Sequence, residues 1–196
     1  MDHIATQPDM RQLIALGGNQ PSAVGDPAQT LHAAIKQISF LGVEVERVST
    51  FYQTPSFPPG SGRDFVNAAI AVRSGLAAPD LLALLHEVER HFGRERLHRW
   101  GARTLDLDLI ADGDRIVPDA ATFDHWRGLT LDQQKTEAPT QLILPHPRLQ
   151  DRAFVLVPLA DIAPDWRHPV LGLTVLEMLA RLPAEERAEV RPIGAS

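Results

Sequence analysis

The segment "RTLDLDLIAD" at residues 103–112 restricts the fold of this chain more than any other, because leucines and aspartates alternate in it. Successive side chains of a β-strand point to opposite faces. A strand here therefore directs three leucines to one face and Asp106 and Asp108 to the other. We predict a strand over 103–112 with one apolar face for a core and one face that carries two carboxylates.

The elements before this strand predict an α+β fold. Apolar periodicity, bounded by glycine and proline, predicts strands at 13–19, 43–54 and 64–74 and helices at 26–42 and 78–93. With the strand at 103–112, the order is strand, helix, strand, strand, helix, strand. This is the βαββαβ order of a ferredoxin-like sandwich, in which helices back an antiparallel sheet.

The remainder of the chain predicts additions to that sandwich. The polar residues 112–141 suggest a surface insertion with a short hairpin or helical turn in it. The apolar segments within 142–164 suggest extra strands around a proline-bounded turn, and 174–183 suggests a short amphipathic helix. The tail that follows has little to bury, so we expect it to fray. The length of 196 residues suits one domain, residues 1–196, with this insertion.

Composition excludes several functional classes. A net charge of −6 gives the chain no general affinity for nucleic acid or anionic membranes. The absence of cysteine excludes disulfides, thiolate metal sites and cysteine nucleophiles. The sequence has neither a basic, apolar leader nor the ~20 consecutive apolar residues of a membrane helix. We expect a cytoplasmic protein with no nucleic acid and no membrane as partner.

The spacing of Asp106 and Asp108 suggests a cation site. On one face of a strand their Cα atoms lie about 7 Å apart. Two charges ~6 Å apart repel by roughly 2 to 3 kcal/mol at an effective dielectric of ~20, so the pair favours a bound cation. Magnesium suits them, because it takes one or two carboxylates and completes its shell with water and phosphate oxygens. The D-x-D pattern alone, however, is more often the solvated face of an amphipathic strand.

A cluster of arginines before the strand favours the cation site over the solvated strand face. The segment "GRERLHRWGAR" contains Arg94, Arg96, Arg99 and Arg103 within eleven residues. A solvated basic loop is the plain interpretation. A guanidinium also binds phosphate in a bidentate manner, and a polyphosphate carried by magnesium requires such neutralisation. Carboxylates beside arginines therefore favour phosphoryl or nucleotidyl transfer.

Two further polar residues are ambiguous on their own. Asn67 interrupts an apolar strand, and its amide suits a heterocycle, although a structural asparagine is the more frequent case. His146 in "PHPR" suits a phosphate, although a histidine between prolines is more often a turn residue.

Six segments in chain order resemble one family. They are "ALGGN", "STFYQTPSF", "DFVNAAIAV", "LLALLHEVERHFGRER", "RWGARTLDLDLI" and "LPHPRLQDRAFVLVPLADIAP". The chain is similar in them to the 6-hydroxymethyl-7,8-dihydropterin pyrophosphokinases of folate biosynthesis. The resemblance covers residues 13–164 apart from the insertion, and "RWGARTLDLDLI" is its most specific part.

The resemblance implies an activity and its residues. Pyrophosphate would pass from ATP to the hydroxymethyl group of the pterin, with AMP as the second product. Asp106 and Asp108 would hold two Mg²⁺ ions, and Arg94 and Arg103 would meet phosphates as catalytic residues. The implied ATP contacts are Glu89, Arg96, Arg99, Trp100, Leu109, His146 and Arg152. The implied pterin contacts are Thr54, Pro55, Ser56, Phe65, Asn67 and Phe154, with the two phenylalanines stacking on the ring. The expected partners are ATP and a small pterin, and a monomer is the working expectation.

Two rival interpretations remain open at this point. One is a paralogue, or another Mg²⁺-dependent phosphotransferase or nucleotidyltransferase, that acts on a related substrate. The other is a non-catalytic ferredoxin-like module that binds nucleic acid through aromatic side chains. The acidic balance and the carboxylate pair disfavour the second, because they would repel phosphates.

Overall fold

The computed structural model describes residues 11–56, 62–93, 103–130, 133, 137 and 139–194. The strands are β1 (Arg11–Gly18), β2 (Glu44–Val48), β3 (Tyr52–Thr54), β4 (Phe65–Arg73), β5 (Asp106–Asp112) and β6 (Arg191–Pro192). The helices are α1 (Pro27–Phe40), α2 (Ala78–His91), α3 (Ala120–Gly128), α4 (Ala153–Ile162), α5 (Val175–Arg181) and α6 (Ala184–Ala188), with a 3₁₀ turn at Leu149–Asp151.

The strands form one sheet in the order β5-β1-β4-β3-β6, and β2 pairs with β4 next to β3. Every pairing is antiparallel. Because β2 and β3 lie along the same side of β4, they take the place of one interrupted strand. The order through β5 is then β, α, β, β, α, β, which confirms the predicted arrangement.

Helices α1 and α2 cover one face of the sheet and form the first core. The leucine face of β5 lies in it: Leu107, Leu109 and Leu105, which directly precedes the strand, are all almost completely buried. Asp26 begins α1 as a capping box with Gln29, so that two backbone donors are satisfied at the start of the helix. The alternation predicted for β5 is therefore observed.

The opposite face of the sheet is also covered, which the sequence interpretation missed. Here Leu13 and Ile110 of the sheet pack with Leu156 and Leu159 of α4 in a second core. The prediction of extra strands within 142–164 was wrong, because the longest apolar part of that range, Ala153–Ile162, is helix α4. The helix is apolar on nearly all sides, so its pattern resembles that of a buried strand. Among the described residues, the one strand after β5 is the two-residue β6.

The described parts of the predicted insertion and of the tail contain more regular structure than predicted. The insertion contains α3, whose Phe123 is fully buried with its ring centroid 5.1 Å from that of His168. Its base is closed by paired backbone hydrogen bonds between Val117 and Leu144, at 2.9 and 3.0 Å. The tail does not fray as far as residue 194, since it forms α6 and then β6 at the outer edge of β3. In the described ranges, no helix is both long enough and apolar enough to span a bilayer.

We predict that Leu156→Ala lowers the free energy of unfolding by about 2 to 5 kcal/mol, because it leaves a cavity between α4 and the sheet. Leu176→Ala is the matched control, since Leu176 is 50% exposed, and it should change stability by no more than about 0.5 kcal/mol. Urea denaturation followed by circular dichroism measures both. Equally small losses would contradict the packing of α4 on the sheet.

Candidate active site

The second face of the sheet changes from apolar to polar along β5, at Asp108 and Asp106. Asp106 is the register partner of Gly17 on β1, and Gly17 is in turn the partner of Asn67 on β4. A Cβ atom on Gly17 would lie 2.9 Å from Oδ1 of Asn67. The glycine therefore leaves a gap between an amide and a carboxylate, which a larger residue would fill.

Cationic side chains lie close to the two carboxylates. The guanidinium of Arg103 forms an ion pair with Asp106. Burial lowers the pKa of Arg152 from its ordinary value, while the charges of Asp108 and Asp106 oppose that shift. Two arginines and two aspartates thus share one half-buried region. This region suits a ligand that carries both negative phosphates and a divalent cation.

His146 is held at this site as a neutral ring. Its backbone N–H donates to the carbonyl oxygen of Ile110 at 2.8 Å, and its Nδ1 accepts from the backbone N–H of Arg148 at 3.1 Å. Burial, followed by the charge of Arg152, lowers the pKa of His146 to about 3. With Nδ1 as the acceptor, Nε2 carries the proton at neutral pH. His146 can therefore donate a hydrogen bond from Nε2 to a ligand.

The predicted pterin contacts gather at the end of β3 and the start of β4. The amide of Asn67 donates to Oγ1 of Thr54 at 2.7 Å, and both residues are buried. Thr54 is the register partner of Phe65. The hydroxyl of Ser56 hydrogen bonds with the backbone of Gly62 at 3.2 Å. The structure thus brings buried polar groups and a half-buried ring together, whereas Pro55 is exposed.

Phe154 provides a second ring, in the first turn of α4. It is 40% exposed, and the guanidinium carbon of Arg152 lies 5.7 Å from its ring centroid. The charges of Asp106 and Asp108 also act on Arg152. The Phe154 ring and the two carboxylates therefore share one neighbouring guanidinium.

Two predicted ATP contacts lie on the first face of the sheet. Glu89 is buried on α2, and its Oε1 accepts from the backbone N–H of Leu107 at 2.8 Å. Leu109 is 3% exposed within the first core. Glu89 thereby satisfies a donor on the edge strand β5, and this contact helps to hold the strand in place.

The remaining predicted contacts are Arg94, Arg96, Arg99 and Trp100, which lie outside the described residues. Their roles stay predictions.

Asn19 is a candidate that the sequence interpretation missed. Its Oδ1 accepts from the backbone N–H of Arg103 at 2.9 Å, and its Nδ2 donates to the carbonyl oxygen of Arg63 at 3.2 Å. One buried side chain thus joins three segments that flank the polar face. The signal was present in "ALGGN", but its partners come from distant parts of the sequence.

The carboxylate pair fits a magnesium ion better than a metal that requires a complete protein shell. In the part of the chain that the structure describes, no group of three or more histidine, cysteine, aspartate or glutamate residues could hold a metal. Asp106 and Asp108 offer two hard oxygen donors on one rigid strand. Magnesium typically adds water and substrate phosphates to such a pair.

Comparison with known proteins agrees with this chemistry. The family model described as 7,8-dihydro-6-hydroxymethylpterin-pyrophosphokinase matches residues 13–164. The 2-amino-4-hydroxy-6-hydroxymethyldihydropteridine pyrophosphokinase of Synechocystis is 39% identical over 171 residues, which are 87% of this chain and 75% of the relative. The protein of that name from Haemophilus influenzae is 35% identical over 153 residues, 78% of this chain and 81% of the relative.

A solved structure shows the same fold. The wild-type HPPK-DHPS of Plasmodium falciparum matches with a TM-score of 0.62 and 12% sequence identity. The match covers 91% of this chain but only 42% of the Plasmodium chain, so this chain spans less than half of that protein.

The fold and these matches define the class as a pyrophosphokinase built on a ferredoxin-like sandwich. The chain belongs to the 7,8-dihydro-6-hydroxymethylpterin-pyrophosphokinase family. Enzymes of this family transfer pyrophosphate from ATP to hydroxymethyldihydropterin in folate biosynthesis, and as ATP-utilising enzymes they generally need Mg²⁺. The resemblance found in the sequence is confirmed.

We predict that Gly17→Ala lowers the free energy of unfolding by about 1 to 3 kcal/mol, because the new methyl group overlaps the amide of Asn67. Gly75→Ala is the control, since nothing lies within 4 Å of a Cβ atom placed there. Thermal denaturation compares the two variants. Equal stability of both would show that the Asn67 amide is not confined by Gly17.

Proposed function

We propose that this chain transfers the pyrophosphoryl group of ATP to the hydroxymethyl oxygen of 6-hydroxymethyl-7,8-dihydropterin, giving the pterin diphosphate and AMP. The observation that carries the proposal is the row of Asn67, Gly17 and Asp106 across three neighbouring strands. In this row, the amide of Asn67 can recognise a heterocycle and the carboxylate of Asp106 can hold a metal. Membership of the pyrophosphokinase family, whose model matches residues 13–164, supports the assignment. We propose that residues 1–196 form one catalytic domain.

The proposed metal ligands are Asp106 and Asp108, which would hold two Mg²⁺ ions together with ATP. Their placement on one face of β5 supports this, because the pair gains most from a cation that relieves its repulsion. Bound there, the ions would neutralise charge on the phosphates of ATP.

Three of the proposed nucleotide contacts lie beside that pair. Arg103 and Arg152 supply positive charge beside the carboxylates, and His146 supplies a neutral donor. The remaining proposed ATP contacts are Glu89, Arg94, Arg96, Arg99, Trp100 and Leu109. Arginines at this place would stabilise the charge that moves toward AMP as the pterin oxygen attacks the β-phosphorus. Catalysis then depends mainly on positioning and charge neutralisation.

The proposed pterin pocket lies beside the nucleotide. Asn67, Thr54 and the backbone at Pro55 and Ser56 would pair with the polar edge of the ring. Phe65 and Phe154 would stack on its faces, which is favourable because an aromatic pair contributes ≈0.5 to 1.5 kcal/mol beyond the area it buries. The burial of Asn67 and Thr54 supports this, because hydrogen bonds in a dry site discriminate strongly between ligands.

We predict that the purified protein forms AMP from ATP only when both Mg²⁺ and the pterin are present. Asp106→Asn and Asp108→Asn should each lower the rate by at least about 100-fold, because each removes a charge that binds the metal. Asp114→Asn is the matched control, since Asp114 is an exposed carboxylate just after β5, and it should keep the full rate. AMP is quantified by chromatography.

Two outcomes would contradict the proposal. AMP formation without the pterin would indicate another acceptor, and complete absence of AMP would exclude the reaction.

We predict that Phe154→Ala weakens pterin binding by about tenfold, since loss of a stacked ring costs roughly 1 to 3 kcal/mol. Phe40→Ala is the control, because Phe40 is 84% exposed at the end of α1, on the other face of the sheet. Quenching of pterin fluorescence on titration with protein measures both. Unchanged affinity for Phe154→Ala would remove this residue from the pocket.

A further inference from the structure

Arg148 connects the insertion to the candidate active site. Its Nη2 donates to the carbonyl oxygen of Leu129 at 2.5 Å, and its Nη1 donates to that of Arg127 at 3.2 Å. Nη1 also lies 3.2 Å from Oδ2 of Asp151. Only 17% of the Arg148 side chain is exposed. A guanidinium buried to this extent is held in one orientation by its acceptors.

These acceptors explain why an arginine suits this position. Arg127 and Leu129 lie at the carboxyl end of α3, where the last carbonyls of a helix have no partner within the helix. A cation is favourable there because the end of a helix carries partial negative charge. The planar fork of arginine reaches two separate carbonyls, which a lysine ammonium on its flexible stem does less well.

The backbone of Arg148 lies in the turn that carries two proposed ATP contacts. Its N–H donates to Nδ1 of His146. The N–H of Leu149 bonds to the carbonyl of His146 at 3.1 Å, and that of Arg152 bonds to the carbonyl of Leu149 at 3.4 Å. Leu149 is fully buried in the second core. Arg148 is therefore the point at which this turn meets the insertion.

The insertion is itself fixed to the rest of the fold. Phe123 of α3 is fully buried against His168, and Val117 pairs with Leu144 two residues before His146. Helix α3 can thus serve as a rigid support for the turn, rather than as a passive surface loop.

We propose that Arg148 is a positioning residue, which docks the turn of His146 and Arg152 against α3 and so presents these two side chains to ATP. The proposal rests on the nucleotide site proposed above and assigns a role to the insertion. Arg148 acts through the turn, without contact with the nucleotide.

The first test is Arg148→Met, which keeps the length of the side chain but removes its donors. We expect the KM for ATP to rise about tenfold or more, because small displacements of contact residues weaken binding strongly. The KM for the pterin should rise less than that for ATP, since every proposed pterin contact except Phe154 lies outside this turn and α4. Arg148→Lys should give an intermediate KM for ATP, and thermal denaturation establishes that each variant is folded.

Arg127→Ala is the matched control. It removes an exposed guanidinium that pairs with Asp124, but it keeps the backbone carbonyl that Arg148 uses. This variant should keep the wild-type KM for ATP. In long-range ¹H–¹⁵N spectra, the His146 ring signals should shift in Arg148→Met and stay in place in Arg127→Ala.

A double variant separates positioning from direct contact. Phe123→Ala removes the buried ring that packs α3 against His168, so it should also raise the KM for ATP. If both residues act through the same support, Arg148→Met with Phe123→Ala should be no worse than the more severe single variant. The proposal would be overturned if the rise in the KM for ATP of the double variant equalled the product of the two single rises, or if neither single variant changed this KM.

Failure of the proposed function gives a different result. In that case the wild-type protein itself forms no pterin-dependent AMP. If the wild-type protein is active and Arg148→Met has the same KM for ATP, only the positioning role is overturned.

Discussion

Packing of the β5 leucines against α1 and α2 is the constraint on which the rest of the structure depends. Leu105, Leu107 and Leu109 are buried in the first core, so the strand has one permitted orientation. A slip of one residue would bury two carboxylates and expose the leucines. The bond from Leu107 to Glu89 secures the outer edge of the same strand. Burial on one face thus determines the direction of Asp106 and Asp108 on the other.

The charges on that other face balance one another and favour a particular ligand. Asp106 and Asp108 repel each other, while Arg103 and Arg152 offset part of this repulsion. Burial makes each of these charges more costly to leave without a counter-charge. A magnesium nucleotide supplies both signs, with a cation for the carboxylates and phosphates for the guanidinium groups. Because His146 stays neutral, it adds a hydrogen bond without adding charge.

Much of the first core was predictable because its signals are local. The helix α1 follows from a cap, a proline in its first turn and helical spacing, all within the segment itself. Helix α4 was missed, since an element that is apolar all round has no periodicity to identify it. The role of Asn19 was missed because both of its partners, Arg63 and Arg103, are distant in sequence. The burial of Phe123 was likewise missed, because this residue lies in a polar stretch of the sequence.

The sequence by itself determined the two faces of β5 and the family resemblance, because both reside in short ordered segments. Only the tertiary structure decided which groups meet the carboxylates. Gly17 and Asn67 lie beside Asp106 through the register of three strands, and that register depends on packing of both sheet faces. The guanidinium of Arg148 reaches the end of α3 by bonding to the carbonyls of Arg127 and Leu129, which are 21 and 19 residues away in sequence. Such contacts join residues far apart along the chain, and a pattern within one segment carries no information about them.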